Sequence, residues 1–250
     1  MYATDHPFSD PKYADARLSP SQGDRLYFHF SDLVTSLSYV DFEKDSKILD
    51  FGCGSSPYYS VIPHEIYHRA DYKYANVKID FEIVDDKLPL VKSDFYDFVL
   101  STQVLEHVSD VTEYLSEAKR ILKLSGKIVL TTHGIFEEHP CPSDFWRWTA
   151  DGLRAEVLKA GFKPIRIYKL TGGLRFNFMQ FEEGLMNLRF PQHAPFNFIF
   201  RALRFCFSRF RKRLVASIDR STSNSGVHLV TEADNGPNKY VALMVVAEKM

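Results

Sequence analysis

The sequence is short of cysteine, of net charge and of long apolar runs, and each shortage removes a class of protein. Its three cysteines, Cys53, Cys141 and Cys206, are odd in number and far apart, with no C-x-x-C pair. They make no disulfide framework and no zinc-ligand cluster, so they read as reduced thiols in a cytosolic protein, with no metal expected. A formal net charge of −1 implies no general attraction to nucleic acid. No apolar run is long enough to cross a bilayer, and the opening MYATDHPFSD lacks the basic start and apolar core of a signal peptide. Internal repeats and low-complexity tracts are also missing. The length of 250 residues fits one large α/β domain, or a core plus a lid, with ample chain to bury a core.

What is present is a strand that runs into glycine. Residues 47–58 read KILDFGCGSSPY. Ile48, Leu49 and Phe51 form the apolar end of a strand buried on both faces. It breaks into Gly52 and Gly54, which reach dihedrals closed to other residues and let a ligand approach the main chain. Pro57 suits the first turn of a following helix. A P-loop is excluded because no G-K-[ST] follows. The dinucleotide fingerprint needs a third small residue where Pro57 stands, and it places a pyrophosphate on the helix start. Asp50, just before the glycines, would repel a pyrophosphate and attract a sulfonium with an α-ammonium. The sign of the charge therefore favours S-adenosylmethionine over NAD.

These residues resemble the first motif, acidic-x-G-x-G-x-G, of the class I, Rossmann-like methyltransferases, with Ser56 in place of the third glycine. The resemblance implies that Asp50, Gly52, Cys53 and Gly54 contact the methionine part of S-adenosylmethionine. It implies an α/β three-layer sandwich, with a mostly parallel seven-stranded sheet whose last strand is antiparallel.

Along the chain, residues 1–23 are rich in Pro, Asp, Ser and Gly and look like an extended arm. Leu26, Phe30, Leu33, Leu37 and Val40 recur at helical spacing, predicting a helix from about Asp24. A second strand over 66–70 ends in Asp71, followed by Tyr72. That lies about twenty residues past the glycine turn, where a carboxylate can accept both ribose hydroxyls. Residues 77–84 alternate like a third strand, but the connection before them is shorter than a parallel crossover helix requires. The usual helix there is expected to be missing, with no partner strand assigned. In the family an acidic residue a few places before Leu88-Pro89 contacts the adenine; Asp85 is the candidate, with a solvated turn as the alternative. A fourth strand is predicted over 96–101.

Next comes STQVLEHVSD, residues 101–110. This resembles the family's fourth motif, which implies that Ser101, Thr102 and Gln103 lie against the cofactor. Asp110 is placed to cap a helix, residues 124–126 to end it, and residues 127–132 form a fifth strand. Thr149 caps a further helix through Lys159, closed by Gly161, and a sixth strand covers 164–170. The last strand, 240–248, comes only after a long insertion over 171–238.

Methyl transfer needs donor and acceptor aligned and, for a hydroxyl acceptor, a base. His107 is one candidate base. The ubiquinone-type O-methyltransferases carry Glu-x-x-Glu-His at this place and are thought to hold magnesium with it, but Gln103 here replaces the first carboxylate. The second candidate is His139, in HPCPSDFWRWT, residues 139–149. That segment resembles an H-x-x-P-x-D-[FY]-x-R-[FW]-T signature of bacterial methyltransferases encoded with polysaccharide and surface-glycan synthesis. The resemblance implies a sugar hydroxyl as acceptor, with Asp144 and Arg147 orienting it and Trp146 and Trp148 as stacking faces. The alternative is a structural Asp144–Arg147 ion pair, with Trp146 in the core. His133 stands as a structural residue or a weak site candidate.

Within the insertion, a first helix would bury Leu174, Phe178, Phe181, Leu185 and Leu188. A second would set Phe196, Ile199, Phe200, Leu203, Phe207, Phe210 and Leu214 opposite Arg201, Arg204, Arg211 and Lys212. Such a basic amphipathic helix, 196–214, can lie on an anionic membrane, or pack on its own domain or on a second subunit in a homodimer. Residues 221–237 read as a polar connection. The expected protein is a methyltransferase acting on a glycan or a small molecule; the other reading is a non-catalytic cofactor-binding adaptor.

Overall fold

The computed structural model describes residues 11–73, 78–141, 143–187, 197–223 and 225–250. Eight strands are described: β1 (Lys47–Phe51), β2 (Ile66–Asp71), β3 (Phe81–Glu82), β4 (Tyr96–Thr102), β5 (Leu122–His133), β6 (Phe162–Gly172), β7 (His228–Leu229) and β8 (Tyr240–Lys249). Six α-helices accompany them: α1 (Pro11–Leu18), α2 (Tyr27–Leu37), α3 (Val111–Ile121), α4 (Ala150–Lys159), α5 (Gly173–Asn187) and α6 (Asn197–Ser221).

Period-two alternation builds the layers. Leu49 and Phe51, Val99, and Ile128 and Leu130 face α3 and α4 on one side of the sheet. Their neighbours Ile48, Phe98, Leu100 and Val129 face α2, α5 and α6 on the other. With apolar residues on both faces, a strand is stable only between two layers of helices. The strand order is β3-β2-β1-β4-β5-β8-β6-β7. β1 lies parallel between β2 and β4, with Asp50 level with Arg69 and Leu100. β8 runs antiparallel between β5 and β6. The winding reverses between β1 and β4, so a crevice opens at their carboxyl ends, where sheets of this kind bind ligands.

The predicted caps form: Asp110 Oδ1 accepts from Glu113 N at 2.9 Å and Thr149 Oγ1 from Gly152 N at 3.1 Å. Several expectations need correction. The arm expected to be extended carries α1, although its residues 1–10 lie outside the described residues. Pro57 starts no helix. Residues 55–62 make successive turns, with Tyr59 N on Ser56 O and Val61 N on Tyr58 O, and Pro63 then removes the next donor. The third strand shrinks to β3, and Val77 lies outside the described residues. It pairs in parallel with β2, Ala70 level with Phe81, and no helix intervenes among the described residues. β5 starts directly after α3, because a slip in pairing between Tyr96 and Phe98 absorbs residues 124–126. The expected seven strands become eight, since the connection over 221–237 contributes β7 as an antiparallel edge.

The insertion differs most from its reading. In α5 the buried side includes Arg175, Phe176, Met179, Glu182 and Leu185, while Leu174 and Phe181 are exposed; Leu188 lies outside the described residues. Arg175 reaches Asp32 at 2.5 Å and Asp219 at 2.7 Å, and Thr171 Oγ1 and Gly226 N also donate to Asp32. Arg211, expected in solvent, is buried against Glu182, and its Nη2 donates to Asp24 O at 2.7 Å. Placing these ion pairs inward turns much of the expected apolar stripe outward. Phe207 stays buried, but Ile199, Leu203, Phe210 and Leu214 are exposed, as are Phe198 and Phe205. Phe196 and the Phe200 side chain lie outside the described residues. No helix among the described residues is long and apolar enough to cross a membrane.

Candidate active site

The crevice begins where β1 ends. Gly52 has φ +79°, and a Cβ there would meet Val104 Cγ2 at 2.7 Å, so only glycine fits. Gly52 N and Cys53 N both donate to Ala70 O, bending the chain sharply off the sheet. Gly54 N donates to Asp71 Oδ2 at 2.7 Å, which ties the end of β2 to the turn. Ser56, also at positive φ, donates its hydroxyl to Asp50 Oδ2 at 2.9 Å, and Tyr67 OH donates to the same oxygen at 2.7 Å. Asp50 Oδ1 is buried without a partner. Burial outweighs those two bonds and pushes the Asp50 carboxyl up to about 6.

Of the residues proposed from sequence for the cofactor, Gly52, Cys53, Gly54, Asp71, Tyr72, Thr102 and Gln103 line one cleft. Asp50 lies behind its wall, 1% exposed. Ser101 is also buried, its hydroxyl 2.8 Å from Tyr114 OH. Asp86, not Asp85, lines the cleft and hydrogen-bonds Tyr72 OH. Both aspartates sit at positive φ, and periodicity does not tell which of two adjacent turn residues points inward. Phe51, Ile83, Val104, Val108 and Tyr114 give the cleft an apolar wall.

Sequence reasoning missed Arg17. It reaches the cleft from α1, its Nε buried without a partner and its guanidinium within 6.0 Å of the Tyr58 ring. An eight-residue helix in a polar arm leaves little periodic signal to find it. Cys141 also lines the cleft, and burial pushes its thiol up to about 11.

The far side of the cleft is a histidine cluster. His107, in a single 3₁₀ turn (Leu105–His107), lines the cleft. Its Nδ1 is 2.6 Å from Ser143 O, so Nδ1 carries the proton and Nε2 keeps the lone pair. Burial lowers the His107 pKa, which keeps the ring neutral. Glu106 is fully buried; Thr132 Oγ1 donates to its Oε2 at 2.8 Å, and its Oε1 lies 3.2 Å from His133 Nε2. Burial pushes Glu106 up to about 7.

The loop of residues 134–149 closes over this cluster. Phe145 N and Trp146 N donate to Glu106 O, and Trp148 N donates to His133 O. Arg147 makes two 2.6 Å bonds to Asp144, which also accepts from His139 N at 2.8 Å. Burial alone would raise Asp144, but the bonds from Arg147 and His139 hold it at about 2. Asp144 and Arg147 thus form a knot beside the cleft and do not line it, and neither does His139. Trp146 is 40% exposed, not in the core, with Nε1 bonded to Val108 O.

Comparison with known proteins places this arrangement. Residues 23–166 match the family model described as methyltransferase domain. A SAM-dependent methyltransferase from Thermotoga maritima superposes with a TM-score of 0.55 at 13% identity, covering 90% of this chain and 91% of that one. A Haloferax volcanii methyltransferase, solved with the Trm112 activator, gives 0.53 at 15% identity, over 94% and 96%. One from Archaeoglobus fulgidus gives 0.50 at 15%, over 94% and 97%. No curated protein matches the sequence. The matched model spans more than half of the chain, which belongs to the methyltransferase domain family, with a Rossmann-like fold and S-adenosylmethionine as cofactor.

The residues present fit that cofactor. The Asp50 carboxylate keeps an unpartnered oxygen behind the turn, Gly52 leaves space that a Cβ would fill, and Asp71 stands at the end of β2. A carboxylate suits an α-ammonium, an open glycine turn a methionine backbone, and a carboxylate at the end of the second strand a ribose.

Proposed function

We propose that the protein methylates a sugar hydroxyl in a glycan or an activated glycan precursor, with His107 as the base. The observation that carries this reading is the lone pair on His107 Nε2 at the cleft wall, fixed by the Nδ1 bond to Ser143 O. Bound S-adenosylmethionine would supply an electrophilic methyl carbon on its sulfonium, held by Gly52, Cys53, Gly54, Asp71, Tyr72, Thr102 and Gln103, with Asp50 charged behind them. Asp86 takes the adenine-side role first given to Asp85. Arg17 is the cation suited to the methionine carboxylate.

The chain's own work on the acceptor is threefold. His107 Nε2 takes the proton that the hydroxyl loses as its oxygen bonds to the methyl carbon. The Asp144–Arg147 knot accepts from His139 N and so holds the loop beside His107 and His133. Phe145 and Trp146, both exposed at this loop, offer flat faces on which a sugar ring stacks. The exposed phenylalanines and arginines of α6 support a further part of the reading, peripheral contact with an anionic membrane that presents a lipid-linked acceptor.

The test is transfer of a labelled methyl group from S-adenosylmethionine into a glycan or glycan-precursor extract. Label in a periodate-sensitive or glycosidase-sensitive product supports the sugar acceptor. Label confined to other small molecules rejects the glycan. Binding of adenosylhomocysteine without transfer into any fraction favours the adaptor.

A further inference from the structure

Glu106, His133 and His139 each point one ligand-type atom at a common space, and these atoms lie within 4.8 Å of one another. Three different parts of the fold deliver them: the 3₁₀ turn after β4, the end of β5, and the loop above both. The remaining polar atoms of Glu106 and His139 are already held, whereas His133 Nδ1 is buried without a partner. Thr132 holds Glu106 Oε2, leaving Oε1 buried without a hydrogen-bond partner. His139 Nδ1 lies 3.1 Å from Glu137 O and 3.5 Å from Asp144 Oδ2, so Nδ1 carries the proton and Nε2 the lone pair. The His133 ring is fixed in plane by stacking on Phe136, 4.1 Å away with the rings 2° from parallel. Glu106 and His139 thus have the outer hydrogen-bond partners common to metal-ligating carboxylates and histidines.

We propose that Glu106, His133 and His139 bind one divalent first-row transition-metal ion. Two imidazoles and one carboxylate are a donor set for zinc, cobalt(II) or iron(II), whereas magnesium and calcium prefer all-oxygen shells. Bonds of about 2.0–2.2 Å in a tetrahedral shell place ligand atoms roughly 3.3–3.5 Å apart. The Glu106 Oε1 to His133 Nε2 distance of 3.2 Å is already close to that. His139, with a side chain 27% exposed on the loop, makes the remaining adjustment. Arg147 adds no uncompensated charge, because Asp144 clamps it with two bonds.

This set differs from the Glu-x-x-Glu-His arrangement considered from sequence. Gln103 spends its amide on Thr131 Oγ1, and the ligand-type atoms that meet are those of Glu106, His133 and His139, without His107. The remaining coordination positions would take water or an acceptor oxygen; that role rests on the acceptor-side reading above, whereas metal binding does not.

Cobalt(II) titration of the full chain, stripped with chelator, is the test. One equivalent should give visible d–d bands without the near-ultraviolet band of a thiolate ligand, and zinc should displace it. His139→Ala, on the exposed side of the site, should weaken zinc binding at least about 100-fold in calorimetry. Thr132→Val should weaken it about 10–100-fold through the carboxylate it orients. His107→Ala should leave metal affinity unchanged, and thermal melts verify that each variant is folded. No d–d band, equal zinc affinity in His139→Ala, or loss of metal in His107→Ala would each overturn the assignment. These readouts need no methyl acceptor, so they stand apart from any failure of the glycan reading.

Discussion

The half of the sheet that carries the cleft and the two helices inserted before β8 treat buried charge in opposite ways. Around the cleft, buried polar atoms lack partners: Asp50 Oδ1, Glu106 Oε1, His133 Nδ1 and His29 Nδ1. Behind α5, Arg175 is fully buried and is matched by two carboxylates and Thr222 Oγ1, and Arg211 by a carboxylate and main-chain carbonyls. An unpartnered buried group is a standing penalty that folding alone does not explain. A completed network is a structural device, costly only when one partner is removed. Buried charge in the insertion therefore reads as structure, and buried charge at the cleft as provision for a ligand.

The comparison breaks first on activity. His107→Ala should lower the methyl-transfer rate by about 10²–10⁴-fold while leaving the melting temperature within a few degrees. Burial holds the His107 pKa below its ordinary value, and the neutral ring is the working form. Wild-type kcat should therefore fall as pH drops through that lowered pKa and stay level above it, and the variant should lose this acid limb. A variant with unchanged kcat removes His107 from the role of base. On stability the largest loss belongs to the insertion. Arg175→Met should cost about 3–5 kcal/mol in denaturant unfolding, because Asp32 and Asp219 are left buried without their cation.

The same contrast explains what was legible in the residues. Period-two runs such as 47–51 and 96–101, the caps Asp110 and Thr149, and the glycine turn all express local physics, and the structure has them within a few residues. The cleft's glycines and Asp71 were legible because their signal is a short spacing. Arg17, Asp86 and the meeting of Glu106 with His133 and His139 were not. Arg17 sits on a helix too short to be periodic, and Asp86 is one of two equivalent turn aspartates. Glu106, His133 and His139 come together through strand order and a loop fold, which no local pattern encodes. In α5 and α6, apolar periodicity was right for Phe178, Leu185 and Phe207 and wrong for Leu174, Phe181 and most of the second stripe, because Arg175, Glu182 and Arg211 are buried in ion pairs that sequence counts as solvent-facing.

A smaller effect of opposite sign tests the cleft half. Burial raises the Asp50 carboxyl from 3.8 to about 6, so its charged form is disfavoured in the folded chain. The contribution to stability is intact below the unfolded value and is lost as pH rises through about 6. Asp50→Asn lacks that penalty and can still accept from Tyr67 and Ser56. Between pH 3 and pH 8 the stability of the cofactor-free variant relative to wild type should rise by about 3 kcal/mol, from roughly two pKa units at 1.36 kcal/mol each. The same variant should bind adenosylhomocysteine more weakly, because the charge opposite the α-ammonium is gone. A relative stability that does not rise with pH, or binding as tight as wild type, removes Asp50 from the ligand account.

The smallest energetic effect concerns the outer face of α6, where the insertion differs from the cleft in what it leaves uncovered. Phe198 and Phe205 are 80% and 72% exposed, so replacing both by serine should change unfolding free energy by no more than about 0.5 kcal/mol each. Turnover on a water-soluble acceptor should not change, since neither residue lines the cleft. Sedimentation with anionic vesicles should nevertheless fall sharply, and raising the salt should lower wild-type binding through the neighbouring arginines. If wild type and variant sediment alike while wild type alone shows a concentration-dependent mass, the stripe serves a second copy of the chain. In that case the arginines beside the phenylalanines answer to a protein surface, and the dependence on vesicle charge should vanish with the salt effect.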